Sequence, residues 1–218
     1  MKKGLTEMVF ILDRSGSMHG LETDTIGGFN SMIDEQKKLE GEALVSCVLF
    51  NNEMQVIYDR APLAKVLPMT EKEYSARGTT ALIDAIGRAV HHIGNVHKYI
   101  REEDVPEHTI FLITTDGMEN ASHEYSANEV RRMIENRKEQ GWEFIFIGAN
   151  IDSVETAKHF GIREDRTVDY VHDRQGTAAN YNAMNKALSS FRKAGAVSEA
   201  WADDAREDYE KRKGRRRK

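Results

Sequence analysis

Cysteine and long apolar runs are scarce in this sequence of 218 residues. The single cysteine, Cys47, cannot form an internal disulfide, and its position within the apolar stretch 44–50 indicates a buried thiol. No stretch reaches the roughly 20 apolar residues that a membrane-spanning helix needs. The apolar run behind the charged start Met1-Lys2-Lys3-Gly4 is too short for the core of a signal peptide. We therefore expect a cytoplasmic protein without membrane contact.

Positive charge is concentrated at the end of the chain. The net charge is −5, and the last eight residues, from Lys211 to Lys218, carry seven cationic side chains, so that the remainder has a net charge of −12. An acidic body argues against a broad nucleic-acid-binding face. We expect residues 194–218 to form a charged tail, partly helical or disordered. Its basic end either only improves solubility or binds an acidic partner or a nucleic acid.

Apolar runs alternate with helical periods, which is typical of a mainly parallel sheet covered on both faces. Strands are predicted at about 6–12, 44–50, 55–58, 109–113, 142–147 and 166–170, and helices at about 26–38, 82–93, 126–140 and 177–192, with a shorter helix capped by Asp152 or Ser153. The turn Asn51-Asn52-Glu53 favours a hairpin between the second and third strands. We expect residues 1–193 to form one α/β domain, Rossmann-like and doubly wound in three layers, with one antiparallel edge strand.

Oxygen-bearing side chains follow two of these strands and precede one helix. Asp13, Ser15 and Ser17 alternate directly behind the first strand, Thr80 precedes the helix at 82–93, and Asp116 follows the strand at 109–113. In open parallel α/β sheets, ligands bind outside the carboxyl ends of the strands. Hard oxygen ligands suit Mg²⁺ or Mn²⁺, which prefer octahedral coordination.

These three segments resemble the metal-ion-dependent adhesion site of the von Willebrand factor A family, whose pattern is D-x-S-x-S, then a threonine, then an aspartate. The resemblance implies that Ser15, Ser17 and Thr80 supply hydroxyl ligands, and that Asp13 and Asp116 contact the metal directly or through water. Thr80 is preferred to its neighbour because Thr80-Ala81-Leu82-Ile83-Asp84-Ala85-Ile86 fits the T-A-L-x-D-A-I run of bacterial members.

The resemblance implies a protein-binding module that is not an enzyme. An aspartate or glutamate of a partner protein would complete the coordination of Mg²⁺ or Mn²⁺. Cytosolic bacterial relatives often act as adaptors beside AAA-type ATPases, which makes such an ATPase one candidate partner. We assign no catalytic and no cofactor-binding residues.

Two other functions stay open. A metal-dependent hydrolase or phosphoryl-transfer enzyme is the first, because an aspartate behind the first strand also opens haloacid-dehalogenase sites. Those sites need D-x-D, however, and Ser15 stands at the second carboxylate position, while no G-x-x-x-x-G-K-[ST], G-x-S-x-G or G-x-G-x-x-G motif occurs. The second is a nucleic-acid-associated protein that acts through its basic end.

Each segment also has a purely structural explanation. The D-x-S-x-S turn and Thr80 could simply cap helices, and Asp116-Gly117 is a common turn pair.

Glu119 and Asn120, just beyond Asp116-Gly117, are either exposed turn residues or determinants of specificity. Arg14 is expected at the surface or in contact with a partner, and His19 near the rim of the site. His91, His92 and His97 could suggest a metal cluster, but adjacent residues of a helix point about 100° apart. We therefore expect these histidines at the surface or at the edge of the core.

Overall fold

The structure, a computed structural model, describes residues 1–213. Within these residues, six strands form one sheet in the order β3-β2-β1-β4-β5-β6. The strands are β1 (Lys2–Asp13), β2 (Glu42–Phe50), β3 (Met54–Pro62), β4 (Pro106–Thr115), β5 (Trp142–Gly148) and β6 (Thr167–Asp169). All neighbouring pairs are parallel except β2 and β3, which form the expected hairpin. The predicted α/β sheet with one antiparallel edge strand is confirmed.

Helices cover both faces of the sheet. They are α1 (Glu22–Lys37), α2 (Leu82–Tyr99), α3 (Ala127–Glu139), α4 (Ser153–His159), α5 (Arg174–Ala194) and α6 (Asp203–Arg212). No helix within residues 1–213 is long and apolar enough to cross a membrane. The capping box predicted at Ser126 and Glu129 opens α3.

The central strand β1 separates two apolar cores because successive side chains of a strand point to opposite faces. Phe10 and Leu12 pack with α1, α5 and α6, whereas Val9 and Ile11 pack with α2, α3 and α4. With both faces covered, β1 is buried almost throughout, which explains its continuous apolar sequence.

Residues 194–213 pack against the domain. Trp201 is 1% exposed within the same core as α5, and its indole Nε1 donates to the carbonyl of Asp165 at 2.9 Å. Arg212 donates from Nη1 to Asp173 Oδ2 at 2.6 Å, which ties α6 to the start of α5. Residues 214–218 of the expected basic end lie outside the described residues.

The order of the strands reverses between β1 and β4. The chain first builds β2 and β3 on one side of β1, and then places β4, β5 and β6 on the other side. Asp13 is the last residue of β1, and Asp116 directly follows β4. Both aspartates therefore lie at the carboxyl edge of the sheet, at the switch point where ligands bind in this architecture.

Candidate metal centre

Three loops meet at this edge through backbone hydrogen bonds. The amide of Gly16, in the loop after β1, donates to the carbonyl of Gly78 at 3.0 Å. Gly78 has a φ of +79°, a conformation that favours glycine, and a Cβ there would lie 2.2 Å from Asn52 Oδ1, so that the Asn52 side chain would have to move. The loop after β4 joins through Asn120, whose amide donates to the carbonyl of Thr80 at 3.0 Å. The three polar segments of the sequence are thereby held side by side.

Their oxygen atoms lie close together. The hydroxyl oxygens of Ser15 and Ser17 are 2.9 Å apart, and the Ser17 hydroxyl donates to Asp116 Oδ1 at 2.5 Å. Adjacent ligands of an octahedral ion that are each about 2.1 Å from it are separated by about 3 Å. Asp13 lies next to these oxygen atoms. Its Oδ1 accepts from the amide of Ser15 and its Oδ2 accepts from the hydroxyl of Thr115, both at 2.7 Å.

Gly117 leaves space between two of the hydroxyl groups. A Cβ added to this residue would lie 3.4 Å from Ser17 Oγ and 3.4 Å from Thr80 Oγ1. The absence of a side chain therefore keeps the region between Ser17, Thr80 and the backbone of Gly117 free of carbon. The five residues that the sequence predicts as ligands, Asp13, Ser15, Ser17, Thr80 and Asp116, are brought to this one place.

Two carboxylates are buried at this site. Asp13 and Asp116 are each 1% exposed, and within residues 1–213 neither forms an ion pair with a lysine or an arginine. Burial raises the pKa of Asp13 from 3.8 to about 6; hydrogen bonds from Thr115 and Ser15 oppose the shift, and the charge of Asp116 adds to it. A divalent cation at this place would offset the cost of holding these negative charges out of water.

Thr80 is fixed by the loop after β4. Its amide donates to Asn120 Oδ1 at 2.9 Å, which complements the backbone bond in the opposite direction. Glu119 accepts from the amides of Ile83, Ala121 and Ser122 at 2.7 to 2.9 Å, and so caps the first turn of α2 while closing its own loop. Glu119 and Asn120, which the sequence left undecided, position the residues around the candidate site.

Sequence reasoning missed two further residues that contact Asp116. His172, just beyond β6, places its Nε2 2.8 Å from Asp116 Oδ2. Asn150, in the loop after β5, donates from its amide nitrogen to the carbonyl of Asp116 at 3.4 Å. Both residues follow carboxyl ends of parallel strands, so the rule that located Asp13 and Asp116 also points to them.

The remaining candidates lie in different surroundings. Arg14 is buried and donates from Nη1 to Gln55 Oε1 at 2.7 Å, so the expectation of a surface side chain was wrong. His19 is exposed beside Glu22. His92 is partly exposed and contacts Asp59. His97 lies at the edge of the core, with its Nε2 2.5 Å from Oε2 of the buried Glu7.

The donor set fits a hard divalent cation. Within the described part of the chain, no group of three or more histidine, cysteine, aspartate or glutamate side chains could hold a metal ion. The oxygen atoms gathered here are three hydroxyl groups and two carboxylates, a set that suits Mg²⁺ and Mn²⁺ better than ions that prefer thiolate ligands.

Comparison with known proteins gives the fold. No family model and no curated protein matches the sequence. The vWF domain of the type V pili tip protein Mfa5 from Porphyromonas gingivalis is similar in structure, with a TM-score of 0.65 and 11% sequence identity over 89% of this chain and 98% of that one. Manganese-loaded TRAP protein from Plasmodium vivax has a TM-score of 0.56 and 16% identity over 83% and 73% of the two chains.

A third similar structure is proximal thread matrix protein 1 from the mussel byssus, solved with a zinc-occupied MIDAS motif. It has a TM-score of 0.54 and 15% identity over 93% of this chain. The present chain spans 46% of that protein, less than half of its length. All three likenesses fall below 25% identity and concern the fold. The chain has the fold of the von Willebrand factor type A domains.

Proposed function

We propose that this chain is a non-enzymatic protein-binding module that depends on a divalent metal, Mg²⁺ or Mn²⁺. Asp13, Ser15, Ser17, Thr80 and Asp116 would hold the ion, directly or through water. The observation that carries the proposal is the meeting of three hydroxyl groups with two buried carboxylates at the switch point of the sheet. The manganese-loaded and zinc-occupied structures of the same fold support metal binding.

The composition of the donor set explains why such a site would bind a protein. An ion held mainly by neutral hydroxyl groups and water keeps much of its positive charge and an exchangeable position, which attracts an anionic oxygen. Ser17 is exposed, so the proposed metal site is accessible from solvent on the side of this residue. A partner's aspartate or glutamate would occupy the exchangeable position, and metal and partner would then strengthen each other's binding by linkage.

The partner and the compartment form part of the proposal. An AAA-type ATPase that presents a carboxylate is one candidate partner, by analogy with cytosolic members of the resembled family. A cytoplasmic location is supported by the single free thiol of Cys47, which is fully buried and needs no oxidising environment.

The nucleic-acid alternative receives little support from the described residues. Lys211 contacts Glu207, Arg212 contacts Asp173 and Asp208, and Lys213 contacts Glu210. These cations are therefore largely balanced by acidic groups of the same chain.

The enzymatic alternative lacks the second carboxylate that D-x-D chemistry needs. Ser15 occupies that position, and its hydroxyl oxygen lies 2.9 Å from that of Ser17, the second serine of the motif.

Thermal unfolding of the metal-stripped protein tests the metal site. A ligand that binds only the native state stabilises it by about 2.7 kcal/mol at 100 times its Kd. Addition of Mg²⁺ or Mn²⁺ should raise the Tm of the wild type saturably, and should not raise that of Asp13→Ala or Asp116→Ala. Asp59→Ala removes a carboxylate on β3 that is about half exposed, and serves as the matched control. Equal shifts in all four proteins would refute the assigned ligands.

Binding of a partner needs its own test. Protein immobilised in the presence of Mg²⁺ should retain partners that a chelator releases, and a Thr80→Ala matrix should not retain them. The partner's contact is then identified by replacing its acidic residues one at a time with the corresponding amides. Retention that is unaffected by the chelator and by Thr80→Ala would contradict a metal-dependent interface.

A further inference from the structure

The carboxylate of Asp116 is contacted through both of its oxygens. Oδ1 accepts from the hydroxyl of Ser17 at 2.5 Å, and Oδ2 lies 2.8 Å from Nε2 of His172. The two contacts come from segments that are far apart in the sequence, since Ser17 follows β1 and His172 follows β6. A carboxylate with a neighbour at each oxygen has its rotation about χ2 restricted.

The two sides of this carboxylate differ in their access to water. Oδ2 of Asp116 and Nε2 of His172 are both inaccessible to solvent, whereas Ser17 is exposed. An ion from solvent therefore approaches from the side of Ser17 and Oδ1. His172 lies on the other side of the carboxylate, next to Oδ2.

His172 belongs to a loop that is anchored on both sides. Before it, the amide of Tyr170 donates to the carbonyl of Gly148 at 2.9 Å. After it, Asp173 caps α5 by accepting from the amide of Gly176 at 2.8 Å, and also accepts from Arg212 at 2.6 Å. Gly176 lies so close to the loop that an added Cβ would lie 1.9 Å from the carbonyl oxygen of Val171. The backbone on both sides of His172 is thus held by contacts with β5, α5 and α6.

We propose that His172 is a positioning residue for Asp116, which keeps Oδ1 directed towards the ion and so raises the affinity of the site for divalent metal. The inference rests on the proposed function, because it concerns the same metal site. Residues that hold a metal-binding carboxylate from behind typically change metal affinity 10-fold to 100-fold when they are replaced. His172 makes this contribution without touching the metal.

Calorimetric titration of Mn²⁺ into the metal-stripped protein tests this role. His172→Ala should raise the Kd about 10-fold to 100-fold. His172→Gln should recover most of the affinity, because the glutamine side chain can bring its amide nitrogen to the side of Oδ2 that Nε2 occupies, 2.8 Å away in the wild type. His123→Ala is the matched control, because His123 Nδ1 lies 3.6 Å from Oδ2 of another carboxylate, that of Asp84. Asp84 accepts from backbone amides of the loop after β4 and is not one of the five proposed ligands. The Kd of His123→Ala should equal that of the wild type.

Thermal unfolding of the same variants without metal separates positioning from general stability. The difference in Kd between His172→Ala and His172→Gln, expressed as a free energy, should be much larger than the difference between their metal-free unfolding free energies. A wild-type Kd in His172→Ala would overturn the inference, as would a loss that His172→Gln does not repair. Absence of saturable Mn²⁺ binding to the wild type would instead refute the proposed function, and with it the role of His172.

Discussion

Replacement of Asp13 with asparagine should stabilise the metal-free protein at neutral pH. Asp13 is buried, and burial raises its pKa to about 6, so the folded protein resists ionisation of this carboxyl group. Asparagine has nearly the same shape and carries no charge. Its Oδ1 can accept from the amide of Ser15, as the carboxylate does, and its amide nitrogen can donate to the hydroxyl of Thr115.

The size of the effect follows from the shift in pKa. A pKa of about 6 in the folded state, against 3.8 ordinarily, corresponds to a loss of about 3 kcal/mol when the group is ionised. Because the folded state binds the proton more tightly, the wild type has its full stability below pH 3.8 and loses this contribution as the pH rises through about 6. The advantage of Asp13→Asn should therefore be only about 0.5 kcal/mol at pH 4 and reach about 3 kcal/mol above pH 7.

Urea unfolding followed by circular dichroism, in the presence of a chelator, measures this difference at pH 4 and at pH 7.5. The comparison of the two proteins at each pH cancels the titration of other groups, provided that the m-values agree. With Mn²⁺ at 100 times its Kd, the wild type should regain about 2.7 kcal/mol and Asp13→Asn nothing. An asparagine variant that is less stable than the metal-free wild type at pH 7.5 would refute the assignment of a buried, unfavourable charge.

Three other replacements have distinct expected outcomes. Gly117→Ala should raise the Kd for Mn²⁺ at least tenfold, about 1.4 kcal/mol, because its Cβ would occupy the space between the hydroxyl groups of Ser17 and Thr80 in which the ion is proposed to lie; calorimetry checks this. Asn120→Ala should weaken Mn²⁺ binding about 10-fold to 100-fold by releasing Thr80, and unchanged affinity would contradict the role of the Asn120 side chain in holding Thr80. Trp201→Ala should lower the unfolding free energy by about 3–5 kcal/mol in urea, whereas a free tail would lose almost nothing.

The sequence predicts the fold well where one physical pattern dominates. The covered strands β1, β2, β4 and β5 are continuous apolar runs, and α2 has a clear helical period, so the sequence predicts the existence of these elements and their positions along the chain. Boundaries were less accurate. Helix α1 starts at Glu22, four residues before the first apolar residue of its predicted stripe, because its first turn is polar. Strand β3 extends to Pro62 through residues that are only partly buried, where apolar alternation is weak.

The candidate site was predictable only in part. The five predicted ligands occur in short motifs at strand ends and helix starts, and the topology of the sheet brings them together. Contacts such as those of His172 with Asp116 and of Asn120 with Thr80 join loops that are distant in sequence. No local pattern encodes such contacts. The burial of Arg14 was missed for the same reason, since its partner Gln55 lies on β3.

Anomalous diffraction from crystals soaked in Mn²⁺ tests the central claim most directly. The account predicts one strong peak in contact with the hydroxyl oxygens of Ser15 and Ser17, at about 2.0–2.3 Å, with Asp13 and Asp116 bound directly or through water. The peak should be absent from crystals of Asp13→Asn. Manganese bound only elsewhere on the surface, or no manganese at the carboxyl edge of β1 and β4 under saturating conditions, would contradict the proposed metal site.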